Sequence, residues 1–392
     1  MLSTIRSASI LLLILVGHCL TGVRTVFAAP VEYDDFDPAP TGVVVIARPC
    51  MLWRIVPRDD ARVTRVRLSL NGVTVPAVYD VPLHSVAYMP PTALKAGAYA
   101  VVCRVTINRR FDIDRSWNFQ ISVAASDSTA LPTIEQGRWH DEINTIRRAL
   151  NLPDAVLDRR LCAAALGHSS YLARNHSLSH DQTTTTPGFT GATSSERARA
   201  FGFAGGCFEA VSQGASGLDV IQSLFDAPYH RAAFLQPGVV EVGSGAQSGI
   251  VTLLFGVSSA SGVIVYPANG QTNVPVSWTG IESPNPLRIH RPDAITAPTG
   301  YPITLFAFGR DDPHLSVGRA TLTTADGKPV PVFVNTPFND QFLQNGALLF
   351  PERPLRPHMV YRVSVQVFDA AGIDRSRVWS FTTGSAPAVG GR

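Results

Sequence analysis

Apolar and polar residues alternate with a period of two near both ends of the chain, as in β-strands that have one buried face. The stretch "VTRVRLSLNGVTVPAV" near the start resembles "VGRATLTTADGKPVPVF" near the end, and each contains a residue pair that favours a tight hairpin turn. These pairs are Asn71-Gly72 and Asp326-Gly327. The pattern therefore predicts two all-β modules, at residues 30–124 and 262–384.

The closing strands of the two modules also match each other. "GAYAVVCRV" and "WNF" in the first correspond to "MVYRVSVQV" and "WSF" in the second, and we expect Trp117 and Trp379 to fill the core of a β-sandwich. These motifs resemble the bacterial immunoglobulin-like (fibronectin-like) modules of exported proteins. The resemblance implies modules that space, orient or bind, and we expect spacers without a ligand of their own.

Between residues 134 and 257 the apolar positions change to spacings of three and four, which is the period of an amphipathic helix. The segments with this period are "EQGRWHDEINTIRRALNLP", "LDRRLCAAALGHSSYLARN", "SSERARAFGF" and "LDVIQSLFDAPYHR". Two apolar runs at 239–242 and 250–255 then predict strands. Helices with interleaved strands indicate an α+β domain between the two β-sandwiches.

The first 28 residues have the pattern of an export signal. Arg6 precedes the apolar run "ILLLILV", which is too short to span a bilayer, and "TVFAAP" offers small residues for cleavage after Ala28. A lipoprotein with Cys19 as its anchor is the weaker alternative, because His18 occupies a position that requires a small residue. No later stretch approaches the roughly twenty apolar residues of a membrane helix. We therefore expect a soluble exported protein that ends in a tail at 385–392.

Charge and motif content exclude several classes of function. The formal net charge is only +3, and it becomes smaller when Arg6 and Arg24 leave with the signal. Nucleic acid or an anionic membrane as the main partner would require clustered positive charge. The sequence also has no G-x-S-x-G elbow, phosphate-binding glycine loop or C-x-x-C pair, so a serine hydrolase, nucleotide enzyme or thioredoxin-like role has no support.

Seven short motifs in the central segment occur in an order that resembles the CAP superfamily. They are "RRALNLP", "YLARN" with "LSH", "SSERA", "FEAVSQG", "APYHRAAFLQP", "EVGSG" and "VTLLFG", between residues 137 and 256. This superfamily comprises cysteine-rich secretory proteins, antigen 5 and plant pathogenesis-related proteins, together with bacterial exported relatives. The resemblance implies an α-β-α sandwich with a cleft lined by two histidines and two acids.

Carried over by this resemblance, the cleft histidines are His180 and His230, and the acids are Glu196 and Glu209. Ala210 stands where the family usually has asparagine, so one amide near the cleft is missing. Two neutral imidazoles can bind zinc or another divalent cation and leave positions for water. A nearby carboxylate can accept a proton from that water or fix the tautomer of an imidazole.

The leading hypothesis is a secreted binding or interaction protein whose cleft holds a divalent cation or a small ligand. One alternative is a metal-dependent, protease-like hydrolase with Glu196 and Glu209 as candidate catalytic residues, and another is a cell-surface scaffold with a vestigial cleft. The family lacks a general reaction, so catalysis is not implied. The ligand is expected to be extracellular: a lipid, a peptide or a component of the cell envelope. Of the other histidines, we expect His168 in the core or at its boundary and His176 on the surface.

Four cysteines remain after removal of the signal, an even number for an oxidising compartment. The economical pairing joins Cys162 to Cys207 within the central segment and Cys50 to Cys103 within the first module. Spacing alone leaves the other pairings open.

Overall fold

The computed structural model describes residues 33–385, with short gaps at 36–37, 59, 82–83, 127–129, 204, 215–216, 218, 259, 280–281, 293–297 and 310–314. The predicted export signal with its cleavage site and Cys19 lies outside the described residues, and so does the predicted tail beyond Ser385. In the described part of the chain, no helix combines the length and the apolar character needed to cross a membrane.

The described part of the segment 33–126 forms nine strands. They are β1 (Tyr33–Asp35), β2 (Gly42–Ile46), β3 (Met51–Pro57), β4 (Val63–Leu70), β5 (Val73–Val75), β6 (Val78–Asp80), β7 (Ser85–Tyr88), β8 (Gly97–Ile107) and β9 (Phe111–Ser126). One sheet has the order β1-β3-β7-β6 and the other β2-β9-β8-β4-β5. Both contribute to a single buried core, with Trp53 from the first sheet and Trp117 from the second. Asn71 and Gly72, both with positive φ, join β4 to β5, so the predicted hairpin turn is confirmed. The immunoglobulin-like character of this module stays a prediction.

The central segment contains all five helices of the described residues. Its elements are α1 (Ile134–Ala149), β10 (Val156–Leu157), α2 (Arg159–Asn175), α3 (Ser194–Ala200), β11 (Gly206–Gln213), α4 (Asp219–Asp226), α5 (Pro228–Leu235), β12 (Val239–Gln247) and β13 (Ile250–Val257). The strands form one sheet in the order β10-β12-β13-β11. The four predicted helices are confirmed, but the sequence pattern missed α5. α4 ends at Asp226, and Pro228 then begins a new helix, because proline is well tolerated in a first turn.

The described residues of the segment 262–384 form eight strands and one 3₁₀ helix. They are β14 (Gly262–Tyr266), the 3₁₀ helix (Pro286–Ile289), β15 (Ile303–Phe308), β16 (Ser316–Thr324), β17 (Pro329–Val330), β18 (Val332–Asn335), β19 (Gly346–Pro351), β20 (Val360–Phe368) and β21 (Arg377–Thr382). The sheets have the orders β14-β15-β19-β18 and β17-β16-β20-β21. The core of this C-terminal module is continuous with that of the central segment, and Phe225 contacts Tyr266 edge to face with ring centroids 4.7 Å apart.

The structure contains neither predicted disulfide, since Cys50, Cys103, Cys162 and Cys207 are all free. At Cys162, α2 packs against Gly243 of β12, whereas Cys207 belongs to β11, two strands away in the same sheet. Two strand spacings amount to about 9.6 Å, which is longer than a disulfide allows between Cα atoms.

The pairing in the first module fails for a different reason. The thiol of Cys103 is buried in the core between the two sheets, but Cys50 precedes β3 and lies near the guanidinium of Arg160 in α2. Its side chain therefore belongs to the boundary between two domains rather than to the core of the first module.

Candidate functional site

His180 and His230 lie on opposite sides of one cleft. α2 ends at Asn175, and His176 then adopts a left-handed conformation that turns the chain toward His180. His230 is in the first turn of α5. The two imidazole centroids are 6.1 Å apart and the ring planes are inclined by 41°. Both rings line a cleft of about 610 Å³, together with Leu178 and Leu224.

Glu209 holds the imidazole of His180. The carboxylate lies on β11 with only 4% of its side chain exposed, and its Oε1 is 3.0 Å from Nδ1 of His180. Since a carboxylate can only accept, Nδ1 carries the hydrogen. Oε2 accepts a hydrogen bond of 2.5 Å from the buried guanidinium of Arg197 in α3. Burial raises the pKa of Glu209, but the hydrogen bond from His180 and the charge of Arg197 outweigh this effect, and the pKa is lowered.

His168 supports the loop that carries His180. Its Nε2 donates to the carbonyl of Ser179 at 3.0 Å, and its Nδ1 accepts from the amide of Gln182 at 3.0 Å. Burial lowers the pKa of His168 to about 4, against the opposing effect of the nearby Glu209 carboxylate. His168 is therefore a neutral core histidine, as predicted, and His176 is exposed, as predicted.

The partner of His230 comes from outside the central segment. Oε1 of Glu282, which precedes the 3₁₀ helix of the C-terminal module, lies 2.8 Å from Nδ1 of His230. The Glu282 side chain is fully buried and that of His230 is 13% exposed. Sequence reasoning missed Glu282, because "GIESPNP" matches no motif and lies about fifty residues downstream. Alanine at 227 leaves α5 without a side-chain cap, which signals a missing acceptor but not where it comes from.

The structure does not bring the fourth predicted residue, Glu196, into this cleft. Its Oε2 accepts from the backbone N–H of Ala192 at 2.8 Å, and its side chain lines a separate cavity of about 850 Å³ between α3 and the first module. The cause is the helical geometry of α3. Arg197 points inward to Glu209, so the preceding residue, about 100° around the helix, points elsewhere.

The cleft offers two imidazole nitrogens as ligands for a cation. Within the described ranges, no group of three or more His, Cys, Asp or Glu side chains is arranged to hold a metal ion. In both His180 and His230, however, Nδ1 is bonded to a carboxylate, so Nε2 is the nitrogen left with a lone pair.

The ring spacing permits a shared ion. With a Zn–N distance of about 2.1 Å, a ligating ring has its centroid about 3.2 Å from the metal, and two such rings lie at most about 6.4 Å apart. The observed centroid distance of 6.1 Å is inside this limit. A tetrahedral angle at the metal needs a centroid distance of about 5 Å, so zinc binding requires the two rings to approach each other by about 1 Å.

Comparison with known proteins identifies the central segment. Residues 140–249 match the family model described as CAP, the cysteine-rich secretory protein family. No curated protein matches the chain.

Similar solved structures include three bacterial proteins. An extracellular protein containing a SCP domain from Bacillus anthracis is 15% identical over 53% of this chain and 64% of its own, with a TM-score of 0.29. An outer surface protein from Borrelia burgdorferi is 22% identical over 32% of this chain and 96% of its own, with a TM-score of 0.28. A cysteine-rich secretory protein from Staphylococcus aureus is 11% identical over 59% of this chain and 85% of its own, with a TM-score of 0.22. The chain thus spans slightly less than two thirds of the first structure.

Proposed function

From the presence of a CAP domain at residues 140–249, we propose that this chain is an exported binding protein whose cleft holds a divalent cation between His180 and His230. The proposal rests on one observation, which is that a buried carboxylate contacts each of the two imidazoles in the same way. Each Nδ1 is bonded to a carboxylate that is at most 4% exposed, at 3.0 Å for His180 and 2.8 Å for His230.

This arrangement is typical of histidines that bind metals. A ligating histidine almost always donates its second ring N–H to a carboxylate, a carbonyl or water, which fixes the tautomer and makes the other nitrogen more basic. Zinc accepts imidazole nitrogen readily and is usually four-coordinate. With two protein nitrogens, two positions stay open for water or for donor atoms of a small ligand.

The same contacts favour binding over hydrolysis. A metal-dependent hydrolase needs a carboxylate that can accept a proton from the attacking water. In Glu209 one oxygen accepts from His180 and the other from Arg197, and in Glu282 the contacts go to His230 and the backbone of α5. Both carboxylates are therefore already engaged in holding an imidazole in place. The protease-like alternative is therefore the second candidate.

The proposed location is extracellular or within the cell envelope. The first 28 residues have the pattern of an export signal. The similar protein from Bacillus anthracis is described as extracellular. The ligand that completes the coordination is then proposed to be a small extracellular lipid, peptide or cell-envelope component.

Isothermal titration with Zn²⁺ tests this function. We expect the wild-type protein to bind one zinc ion, and the double variant His180→Ala/His230→Ala to bind it at least about a hundredfold more weakly. The loss should exceed the roughly 10–100-fold cost of removing an outer partner. His176→Asn is the control, because His176 is exposed and asparagine tolerates its left-handed conformation. Equal zinc binding by the double variant and the wild type would refute the proposal.

A further inference from the structure

We infer that the C-terminal module is part of the binding site rather than a spacer, because Glu282 positions His230 and sets its tautomer. This inference deepens the proposed function and rests on it for the effect on cation binding. Glu282 lies outside residues 140–249, which match the CAP family. Without the C-terminal module, the CAP domain of this chain would therefore lack the carboxylate that contacts His230.

The beginning of α5 has no side-chain cap of its own. The N–H groups in the first turn of a helix have no partner within the helix, and Ala227 has no side-chain acceptor at the cap position. Oε1 of Glu282 accepts from the backbone N–H groups of Tyr229 and His230, both at 3.0 Å. A buried carboxylate from another module thus caps the helix that carries His230, where negative charge is also favoured by the helix dipole.

Glu282 also fixes the imidazole ring of His230. The oxygen that caps α5 is also 2.8 Å from Nδ1 of His230. Backbone and ring are therefore fixed by the same atom, so a rotation of the ring away from the cleft breaks a hydrogen bond to a fully buried charge. The bond places the hydrogen on Nδ1 and leaves Nε2 as the ligand.

Buried contacts hold α5 rigidly against the C-terminal module. The guanidinium of Arg231 is fully buried, donates to the carbonyl of Pro302 at 2.8 Å and lies 4.7 Å from the ring centroid of Tyr266. Because Arg231 holds α5 against the module at the residue directly after His230, the position of Glu282 is not free to drift from His230.

Two alanine variants separate positioning from general support. Glu282→Ala removes the partner of His230, and Asp340→Ala removes a buried carboxylate from the same interface, three per cent exposed, that contacts Tyr229 instead. The first readout is the ¹⁵N spectrum of His230 without metal at about pH 8.5, where an unperturbed imidazole is neutral. The second is Zn²⁺ affinity by isothermal titration.

We expect the wild type and Asp340→Ala to show the Nδ1–H tautomer of His230, and Glu282→Ala to shift toward Nε2–H. Zinc affinity should fall about 10–100-fold in Glu282→Ala and change less than about threefold in Asp340→Ala. An unchanged tautomer in Glu282→Ala, or an equal zinc loss in both variants, overturns the inference. If Glu282→Ala does not fold, Glu282→Gln replaces it. Glu282→Gln should also bind zinc more weakly than the wild type does. A zinc affinity equal to that of the wild type would overturn the inference.

The tautomer readout keeps this inference separate from the proposed function. If the wild-type protein binds no zinc but the tautomer depends on Glu282 as described, the positioning role stands and the cation function fails. If zinc binds and the tautomer does not depend on Glu282, the reverse holds.

Discussion

Three histidines of one domain differ because their partners differ. His168 has both ring nitrogens bonded inside the protein, one to a carbonyl and one to an amide. His180 and His230 each have one nitrogen bonded to a carboxylate and the other directed to no described partner. His168 is structural because both of its ring nitrogens are hydrogen-bonded. His180 and His230 are suitable as metal ligands because each has one ring nitrogen without a hydrogen bond to any described residue.

His168 should make the stability of the protein depend on pH. Burial lowers its pKa to about 4, so the unfolded chain, with a value near 6.5, binds the proton more readily. Its contribution is fully present above about pH 6.5 and is lost as pH falls toward 4. Linkage gives a loss of about 2 kcal/mol at pH 5. Urea unfolding at pH 7.5 and 5 should show this loss in the wild type but not in His168→Gln. Parallel changes in both proteins would contradict the assignment.

Among the secondary-structure elements, the close contact between α2 and β12 determines the position of the cleft. Glycines at 243 and 245 let the helix backbone approach the strand, and a Cβ added at Gly245 would lie 2.1 Å from the backbone nitrogen of Leu166. The serine between them is buried. α2 ends at the loop that leads to His180, so the height of this helix above the sheet determines where that loop begins.

Gly245→Ala should therefore displace α2 and destabilise the protein by about 1–3 kcal/mol, the usual cost of overpacking. Gly137→Ala is the matched control. It lies within α1 with no atom within 4 Å of the added Cβ, so it should stabilise by about 0.5–1 kcal/mol. Thermal unfolding of both variants measures the difference. A Gly245→Ala protein as stable as the wild type would show that the contact does not set the position of α2.

At the scale of the whole molecule, the two flanking modules relate differently to the central domain. The first module has a core of its own, and it contacts the centre through features such as the hydrogen bond from Arg54 to the carbonyl of Val257. The C-terminal module shares one continuous core with the central domain and contributes Glu282 to the cleft. The two modules therefore differ in their contacts with the central domain.

Features that depend on neighbouring residues could be predicted from the sequence, and features that depend on tertiary contacts could not. The turn at Asn71-Gly72 and the end of α2 at Asn175 depend on neighbouring residues, so a local pattern was sufficient. The direction of Glu196 depends on which residue of α3 reaches Glu209, and that is a tertiary contact. Glu282 was out of reach for the same reason, because its role appears only when the C-terminal module docks against α5.

Anomalous diffraction from crystals grown with Zn²⁺ can show whether His180 and His230 hold one cation between them. We expect a zinc peak in the cleft at about 2.1 Å from Nε2 of both histidines. In the same map, each Nδ1 should stay bonded to its carboxylate, Glu209 for His180 and Glu282 for His230. A zinc peak that contacts neither Nε2, or a cleft without zinc at saturating concentration, would contradict the claim.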